Sequence, residues 1–249
     1  MDLELDGKTA IVTGSSRGIG RKTAELLHDE GCNVVFNGRH ANILKKITKN
    51  LPKASYCVAD VTDLNQCKKL VEHAKKKWGK LDILVCNVGD GRSVSPGNEN
   101  ISEWKRIFDL NLFATTNMVE ESKKLLSKSS GSIICISSIT GIENLGAPIT
   151  YSVAKSALNH YVKCISKPLG KNNIRINAIA SGNIYFKGSV WEKKLIDNPS
   201  AVRRMLKDNV SLGRFGKTDD IANLVLFLAS SRTSFVTGGI FIADGGQIH

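Results

Sequence analysis

The chain has 249 residues, 41% of them hydrophobic, and carries 35 Lys and Arg against 23 Asp and Glu, a formal net charge of +12. That length suits one α/β domain with a large core and falls short of two. No N-terminal run has the charged-then-apolar form of a signal peptide and no apolar stretch reaches spanning length, so neither secretion nor a membrane segment is expected.

Strands and helices are expected to alternate along the whole chain. An apolar strand over 8–13 runs into Thr13-Gly14-Ser15-Ser16-Arg17-Gly18-Ile19-Gly20 and a helix over 18–30. A second strand, 33–37, ends Val34-Val35-Phe36-Asn37-Gly38-Arg39 and leads to a helix over 40–50. Strand 55–60, helix 64–78, strand 81–86 and helix 102–127 come next. Strand 132–137, helix 151–170, strand 174–180, helix 219–230 and strand 238–243 complete the series. Such alternation predicts an α/β fold in a single domain, 1–249: a doubly wound, mostly parallel seven-stranded sheet with helices on both faces, Rossmann-like. The stretch 182–217 is too long for a plain connection and holds Tyr185, Phe186 and Trp191. It is expected to be a substrate loop or lid at the carboxyl edge of the sheet.

Six cysteines (32, 57, 67, 86, 135 and 164) lack Cys-x-x-Cys spacing, and Cys57, Cys86 and Cys135 fall in predicted strands as small hydrophobes. They point to a reduced, cytoplasmic protein without structural disulfides. The five histidines show no metal-ligand spacing, so no metal site is expected. Lysines are dispersed in groups such as Lys45-Lys46, Lys68-Lys69 and Lys75-Lys76-Lys77. That dispersal fits a solvated surface better than a nucleic-acid footprint, and no nucleic-acid partner is expected.

Two motifs carry chemistry. The turn after the first strand reads Gly-x-x-x-Gly-x-Gly, a relative of the dinucleotide fingerprint. Glycines there let a phosphate approach the backbone at a helix N-terminus, which binds anions. The second motif is Ser138, thirteen residues before Tyr151, with Lys155 four residues further on. On one helix that last spacing is about one turn, so Tyr151 and Lys155 share a face. A phenol near pKa ~10 is a poor acid–base group at neutral pH, but a neighbouring ammonium favours phenolate and lowers that value. Such a phenol can exchange a proton with a carbonyl or alcohol oxygen. Ser137 is the alternative hydroxyl, and the spacing to Tyr151 favours Ser138.

With these motifs the chain resembles the short-chain dehydrogenase/reductase family, and in layout its 3-oxoacyl-carrier-protein reductase group. The likeness extends to Asp60-Val61, Cys86-Asn87-Val88-Gly89, Asn111, Asn177-Ala178-Ile179-Ala180-Ser181-Gly182 and Asp244-Gly245-Gly246. It implies Tyr151 as general acid in reduction and general base in oxidation, and Lys155 lowering its pKa and holding the nicotinamide ribose. Ser138 would bond the reacting oxygen, and Asn111 would support Lys155 through water. The implied cofactor residues are Gly14, Ser15, Ser16, Arg17, Gly18 and Ile19 on the turn, then Asn37 and Arg39. Asp60 and Val61 would meet the adenine, Asn87 and Gly89 the ribose side, and Tyr151, Lys155 and Ile184 the nicotinamide end.

No acid ends the second strand, whereas Arg17 and Arg39 offer paired donors for a 2′-phosphate, so NADP(H) is expected over NAD(H). Ser181 replaces the family's Pro, Val88 its Ala, Cys86 its first Asn, and Phe186 a cofactor-contacting Thr. The expected activity is an oxidoreductase interconverting a carbonyl and a secondary alcohol. Its substrate would be a 3-oxoacyl thioester or, given Asp90-Gly91-Arg92 near the mouth, a sugar or sugar nucleotide. A catalytically idle binding protein on the same fold is the reading from another class, opposed by the intact Ser138, Asn111, Tyr151 and Lys155. Lys187, Lys193, Lys194, Arg203 and Arg204 make the long excursion basic and favour an anionic small-molecule substrate. A homotetramer is expected from Ile107, Leu110, Phe113, Leu158 and Tyr161 on the two long helices, with Gly245–His249 supplying a second interface.

Overall fold

In the computed structural model, which describes residues 2–248, seven strands form one sheet. They are β1 (Thr9–Val12), β2 (Asn33–Gly38), β3 (Ala54–Val58), β4 (Ile83–Cys86), β5 (Ser132–Ser138), β6 (Arg175–Ser181) and β7 (Ile240–Ala243). Their order is β3-β2-β1-β4-β5-β6-β7, and every pairing is parallel. Residues of β1, β4 and β5 are buried throughout, as expected of parallel strands covered on both faces. Alternate side chains feed two cores. Ile11, Val35 and Leu84 point to one; Ala10, Val12, Val34 and Phe36 point to the other.

Helices α1 (Gly18–Asp29), α2 (Ala41–Thr48), α3 (Leu64–Trp78), α4 (Ile101–Phe108), α5 (Ala114–Leu126), α6 (Ile149–Gly170), α7 (Val190–Asp197), α8 (Pro199–Asn209) and α9 (Thr218–Ala229) connect the strands. Leu27 of α1 and Ile221 and Val225 of α9 cover one face; Leu70 of α3, Met118 of α5 and Leu158 of α6 cover the other. The strand order reverses between β1 and β4, which opens a crevice at the carboxyl ends of the strands.

Three expectations change. The single helix over 102–127 is interrupted by a π-helical turn, Asp109–Phe113, in which the Ala114 N–H reaches back to the Asp109 carbonyl. Asn111 sits in that turn, a local widening that often marks functional positions. The 182–217 excursion contains α7 and α8, separated where Asn198 caps the second helix and Pro199 begins it. Val202, Leu206 and Val210, with Leu195, Met205 and Phe215 against them, give it a small core of its own. Its two ends are pinned together, since Tyr185 N–H donates to the Gly216 carbonyl at 2.9 Å and Gly216 N–H to the Asn183 carbonyl at 2.9 Å. Finally, Ile107 and Leu158 are fully buried in the domain and cannot serve an interface, whereas Phe113 remains half-exposed. His249 lies outside the described residues.

Candidate active site

A cleft of about 1580 Å³ follows the carboxyl edge of the sheet across the switch point. At its inner end Ser138 terminates β5, and Tyr151 and Lys155 project from the first turns of α6. Ser138 Oγ accepts from the Thr140 N–H at 3.2 Å and lies 3.0 Å from Thr140 Oγ1, which fixes the hydroxyl at the mouth of the strand. Thr140 escaped the sequence reading; Ser-x-Thr at a strand end is the signal that locates it. Ser137, the alternative, is spent on Asn159 Oδ1 at 2.6 Å.

Lys155 is buried, 3% exposed, and its Nζ donates to the Ile136 carbonyl at 2.9 Å. Burial lowers its pKa from 10.5 to about 8. Its ammonium stands 5.8 Å from the Tyr151 ring centroid. Burial pushes the Tyr151 phenol above its ordinary value; a hydrogen bond with Ser138 opposes this and the Asp90 charge adds to it. The expected lowering of Tyr151 by Lys155 is therefore not what this geometry gives. The ammonium is committed to a main-chain carbonyl, and desolvation dominates at the phenol.

Asn111 is fully buried and its amide is fully engaged. Its Nδ2 donates to the carbonyls of Asp90 (3.1 Å) and Ile107 (3.0 Å), and its Oδ1 accepts from the Asp90 N–H at 3.1 Å. The Asn111 side chain is thus spent on Asp90 and Ile107, and none of its hydrogen bonds goes to Lys155. Gly89 lets these groups converge: a Cβ there would stand 2.8 Å from Asn111 Oδ1 and 3.2 Å from Lys155 Nζ.

The outer end of the cleft begins at the glycine-rich turn. Gly14 and Gly18 adopt φ of +62° and +59°, a region that side chains disfavour. A Cβ on Gly20 would lie 2.3 Å from Asn87 Nδ2, so Asn87 can close on the turn, donating to the Thr13 (3.0 Å) and Gly14 (3.2 Å) carbonyls. No side chain caps α1 and its first turn holds no acid, whereas Asp63 caps α3. An uncapped helix N-terminus facing a cleft fits the phosphates of a dinucleotide.

Most residues expected near a cofactor line this cleft: Gly14, Ser16, Arg17, Ile19, Asn37, Arg39, Asp60, Val61, Asn87, Gly89 and Ile184. Ser15 and Gly18 do not. Ser15 is fully buried, with Oγ donating to the Val12 carbonyl at 2.8 Å and accepting from the Asn37 N–H at 2.8 Å. Gly18 lies beneath Phe186, whose ring atoms come within 2.7 Å of where a Cβ would be. The Asn37 side chain is turned inward, donating to the Cys57 (3.2 Å) and Ala59 (3.1 Å) carbonyls. Arg39 is not free of acid either: the Asp60 carboxylate, from the loop after β3, stands 3.8 Å away. Arg17 Nη1 donates to the Gly188 carbonyl at 3.3 Å.

Beyond Tyr151 the cleft is bounded by the excursion. Trp191 packs on Phe215 (centroids 5.4 Å apart), and Lys194 Nζ lies 4.5 Å over the Trp191 ring. The chain's end braces its base: Asn183 Nδ2 donates to Gln247 Oε1 at 2.8 Å, and the Asp244 carboxylate accepts from the N–H groups of Gly246, Gln247 and Ile248.

A parallel sheet with this switch-point cleft, a glycine-rich turn at a helix N-terminus and a Ser–Tyr–Lys wall fits an oxidoreductase of CH–OH and C=O groups that uses a nicotinamide cofactor, the class to which the similar proteins point. The profile described as Enoyl-(Acyl carrier protein) reductase matches residues 14–247. The 3-oxoacyl-(acyl-carrier-protein) reductase of Thermotoga maritima is 33% identical over 99% of this chain and 100% of its own length. The 7alpha-hydroxysteroid dehydrogenase of Escherichia coli K12 is 31% identical over 99% of this chain and 96% of its own. A solved 7alpha-hydroxysteroid dehydrogenase, complexed with NADH and 7-oxo glycochenodeoxycholic acid, superposes with a TM-score of 0.91 at 30% identity, covering 99% of this chain and 96% of that one. The chain belongs to the short-chain dehydrogenase/reductase family. Among the described residues, no helix is long and apolar enough to cross a membrane.

Proposed function

We propose that the chain is an NADP(H)-dependent reductase of a carbonyl to a secondary alcohol, with Tyr151 as the proton donor. The observation that carries this reading is the meeting of Ser138, Tyr151 and Lys155 on one wall of a cleft whose far end presents Arg17 and Arg39. The nicotinamide, when bound, supplies the hydride. Ser138 orients the substrate oxygen, its own position set by Thr140. Tyr151 gives its proton to that oxygen as charge develops there; the raised phenol pKa keeps the proton available at neutral pH. Lys155 supplies a positive charge a few ångströms behind the phenol and holds the cofactor ribose. Arg17 and Arg39 hold the 2′-phosphate, and Arg39 exchanges Asp60 for that group. The neighbour complexed with NADH makes the choice between cofactors rest on this chain's own arginines.

A 3-oxoacyl thioester is the substrate favoured by the reductase relatives, and the same reading takes the enzyme to be a cytoplasmic homotetramer. A sugar or sugar nucleotide is the second reading, favoured by the charged rim that Asp90, Arg92 and Arg106 place beside Tyr151.

Titration of both cofactors with the wild type and two variants tests the proposal. NADPH should bind at least about tenfold tighter than NADH, an advantage that Arg39→Ala removes, since a charge-assisted hydrogen bond contributes about 1.5–3 kcal/mol. Tyr151→Phe should cut turnover roughly 10²- to 10⁴-fold while leaving NADPH affinity within a few fold. Equal cofactor affinities would overturn the NADP assignment, and an active Tyr151→Phe enzyme the proton donor.

A further inference from the structure

The segment between β4 and α4, together with α4 itself, carries charged groups to which the proposed function gives no cofactor contact. Arg92 closes a fork on Asp90, with Nε 3.0 Å from Oδ1 and Nη2 2.8 Å from Oδ2. Arg106 does the same on Glu103, with Nε 2.8 Å from Oε2 and Nη2 2.6 Å from Oε1. A further bond from Arg106 Nη2 to the Arg92 carbonyl, 3.0 Å, joins the two forks. The carboxylates face inward and the guanidiniums outward: side-chain exposures are 24% for Asp90 and 13% for Glu103, against 63% for Arg92 and 46% for Arg106. Both carboxylates are ionised. Burial pushes Asp90 up, but its bonds from Arg92 leave it below the ordinary value, and Arg106 with Ser93 holds Glu103 at about 2.

The forks are built in register with the phenol. Asn111 clamps both main-chain groups of Asp90, and Ser93 Oγ lies 2.7 Å from Glu103 Oε1 and 2.7 Å from Thr150 Oγ1, the residue before Tyr151. Between them, Gly91 rests on the Tyr151 ring, a Cβ there standing 3.6 Å from Cζ, the carbon that bears the hydroxyl. Asp90 spends its acceptors on Arg92, while the Nη1 groups of Arg92 and Arg106 have no partner among the described residues, and both arginines line the cleft. Two guanidinium groups at fixed positions, each with an Nη1 donor directed past its own carboxylate, suit an oxygen anion even though Asp90 lines the cleft with them.

We propose that Arg92 and Arg106 form an oxyanion subsite that selects substrates bearing a carboxylate or phosphate close to the reacting carbonyl. This rests on the carbonyl-reductase reading and deepens it, moving charge selection from the lysines of the excursion to the rim beside Tyr151. Asp109 is exposed on the same rim and the two forks are each neutral, so selection rests on the directed Nη1 donors and not on a net positive charge.

Matched ketones with NADPH test the subsite: acetoacetate against ethyl acetoacetate for a carboxylate, dihydroxyacetone phosphate against dihydroxyacetone for a phosphate. The anionic member of at least one pair should have a kcat/KM tenfold or more above its neutral partner. Arg92→Gln and Arg106→Gln should bring that ratio to within twofold, the loss falling mainly on the KM of the anionic member, with NADPH affinity and the melting temperature of the NADPH complex without anion as the signs of an intact fold. In parallel, the anion should raise the melting temperature of the wild-type NADPH complex and leave that of Arg92→Gln unmoved. Two results overturn the subsite: no anion-dependent shift in the wild type, or a preference that survives both arginine variants and disappears in Lys194→Gln or Lys207→Gln. A retained shift with no turnover of any ketone would instead count against the reductase reading while supporting the subsite.

Discussion

Lys155 shows what one residue at a site costs the fold. A lysine is rarely buried, and this one is held in the protein with a pKa of about 8 against an ordinary 10.5. Below pH 8 the folded state carries a desolvated charge, so the site opposes folding there. As pH rises from 8 towards 10.5 the folded protein gives up its proton before the unfolded chain does, and stability at this site increases. The full penalty is about 3 kcal/mol, at about 1.36 kcal/mol per unit. Lys155→Met, which loses the bond to Ile136, should therefore raise the melting temperature at pH 7 by roughly 3 °C or more, a gain that fades towards pH 10. A melting scan across pH checks this, and an unchanged or lowered midpoint at pH 7 would refute it. The triplet itself was legible in sequence because helix geometry fixes which face Tyr151 and Lys155 share. Where the Lys155 ammonium points was not, because it depends on the Ile136 carbonyl, nineteen residues away in the chain.

Among the elements, strands were the most legible, since an apolar run between a glycine turn and a polar helix has few other readings. The π turn at Asp109–Phe113 was hidden, because one extra residue in a turn leaves the apolar spacing of 102–127 almost unchanged. The bounds of α7 and α8 and the core they share were hidden for another reason: their faces are mostly charged and that small core is closed by Phe215, beyond both helices. That core alters what the excursion should do as a lid. Helix α8 is already packed, so cofactor binding should protect its amides little. Protection should concentrate at 185–194, where Phe186, Gly188 and Trp191 face the cleft. Hydrogen exchange with and without NADPH reads this directly, and unchanged exchange over 185–194 would sink the lid.

At the scale of the molecule, a net charge of +12 says little about partners until its layout is known. The apolar surface is more telling. Ile101, Phe113 and Val153 are exposed on α4, the π turn and α6, and the Phe108 ring lies 5.8 Å from Trp104 and 6.5 Å from Phe113. For the proposed oligomer, exposed residues such as these, rather than Ile107 or Leu158, are what a two-fold axis would pair. Light scattering at micromolar concentration should give a dimer or tetramer, and Phe113→Glu should shift it towards smaller species. A wild-type monomer would remove the proposal. Sequence periodicity cannot separate a helix's core face from its outer face once both are apolar, which is why Ile107 and Leu158, both buried in the domain, read as interface residues beside the exposed Phe113.

Phe186 rests on Gly18 at the threshold of the anion cradle, and Arg17 is tied to Gly188 beside it. Two contacts of that kind make cofactor entry a question of rates. If the ring has to swing away before phosphate can reach α1, opening sets a ceiling on association. Stopped-flow traces should then show an observed rate that levels off as NADPH concentration rises instead of climbing in proportion. Phe186→Thr, which removes the ring, should restore proportionality and hasten cofactor release. The bulk of one side chain would thus set how long each cofactor stays, and product release could set the pace of turnover.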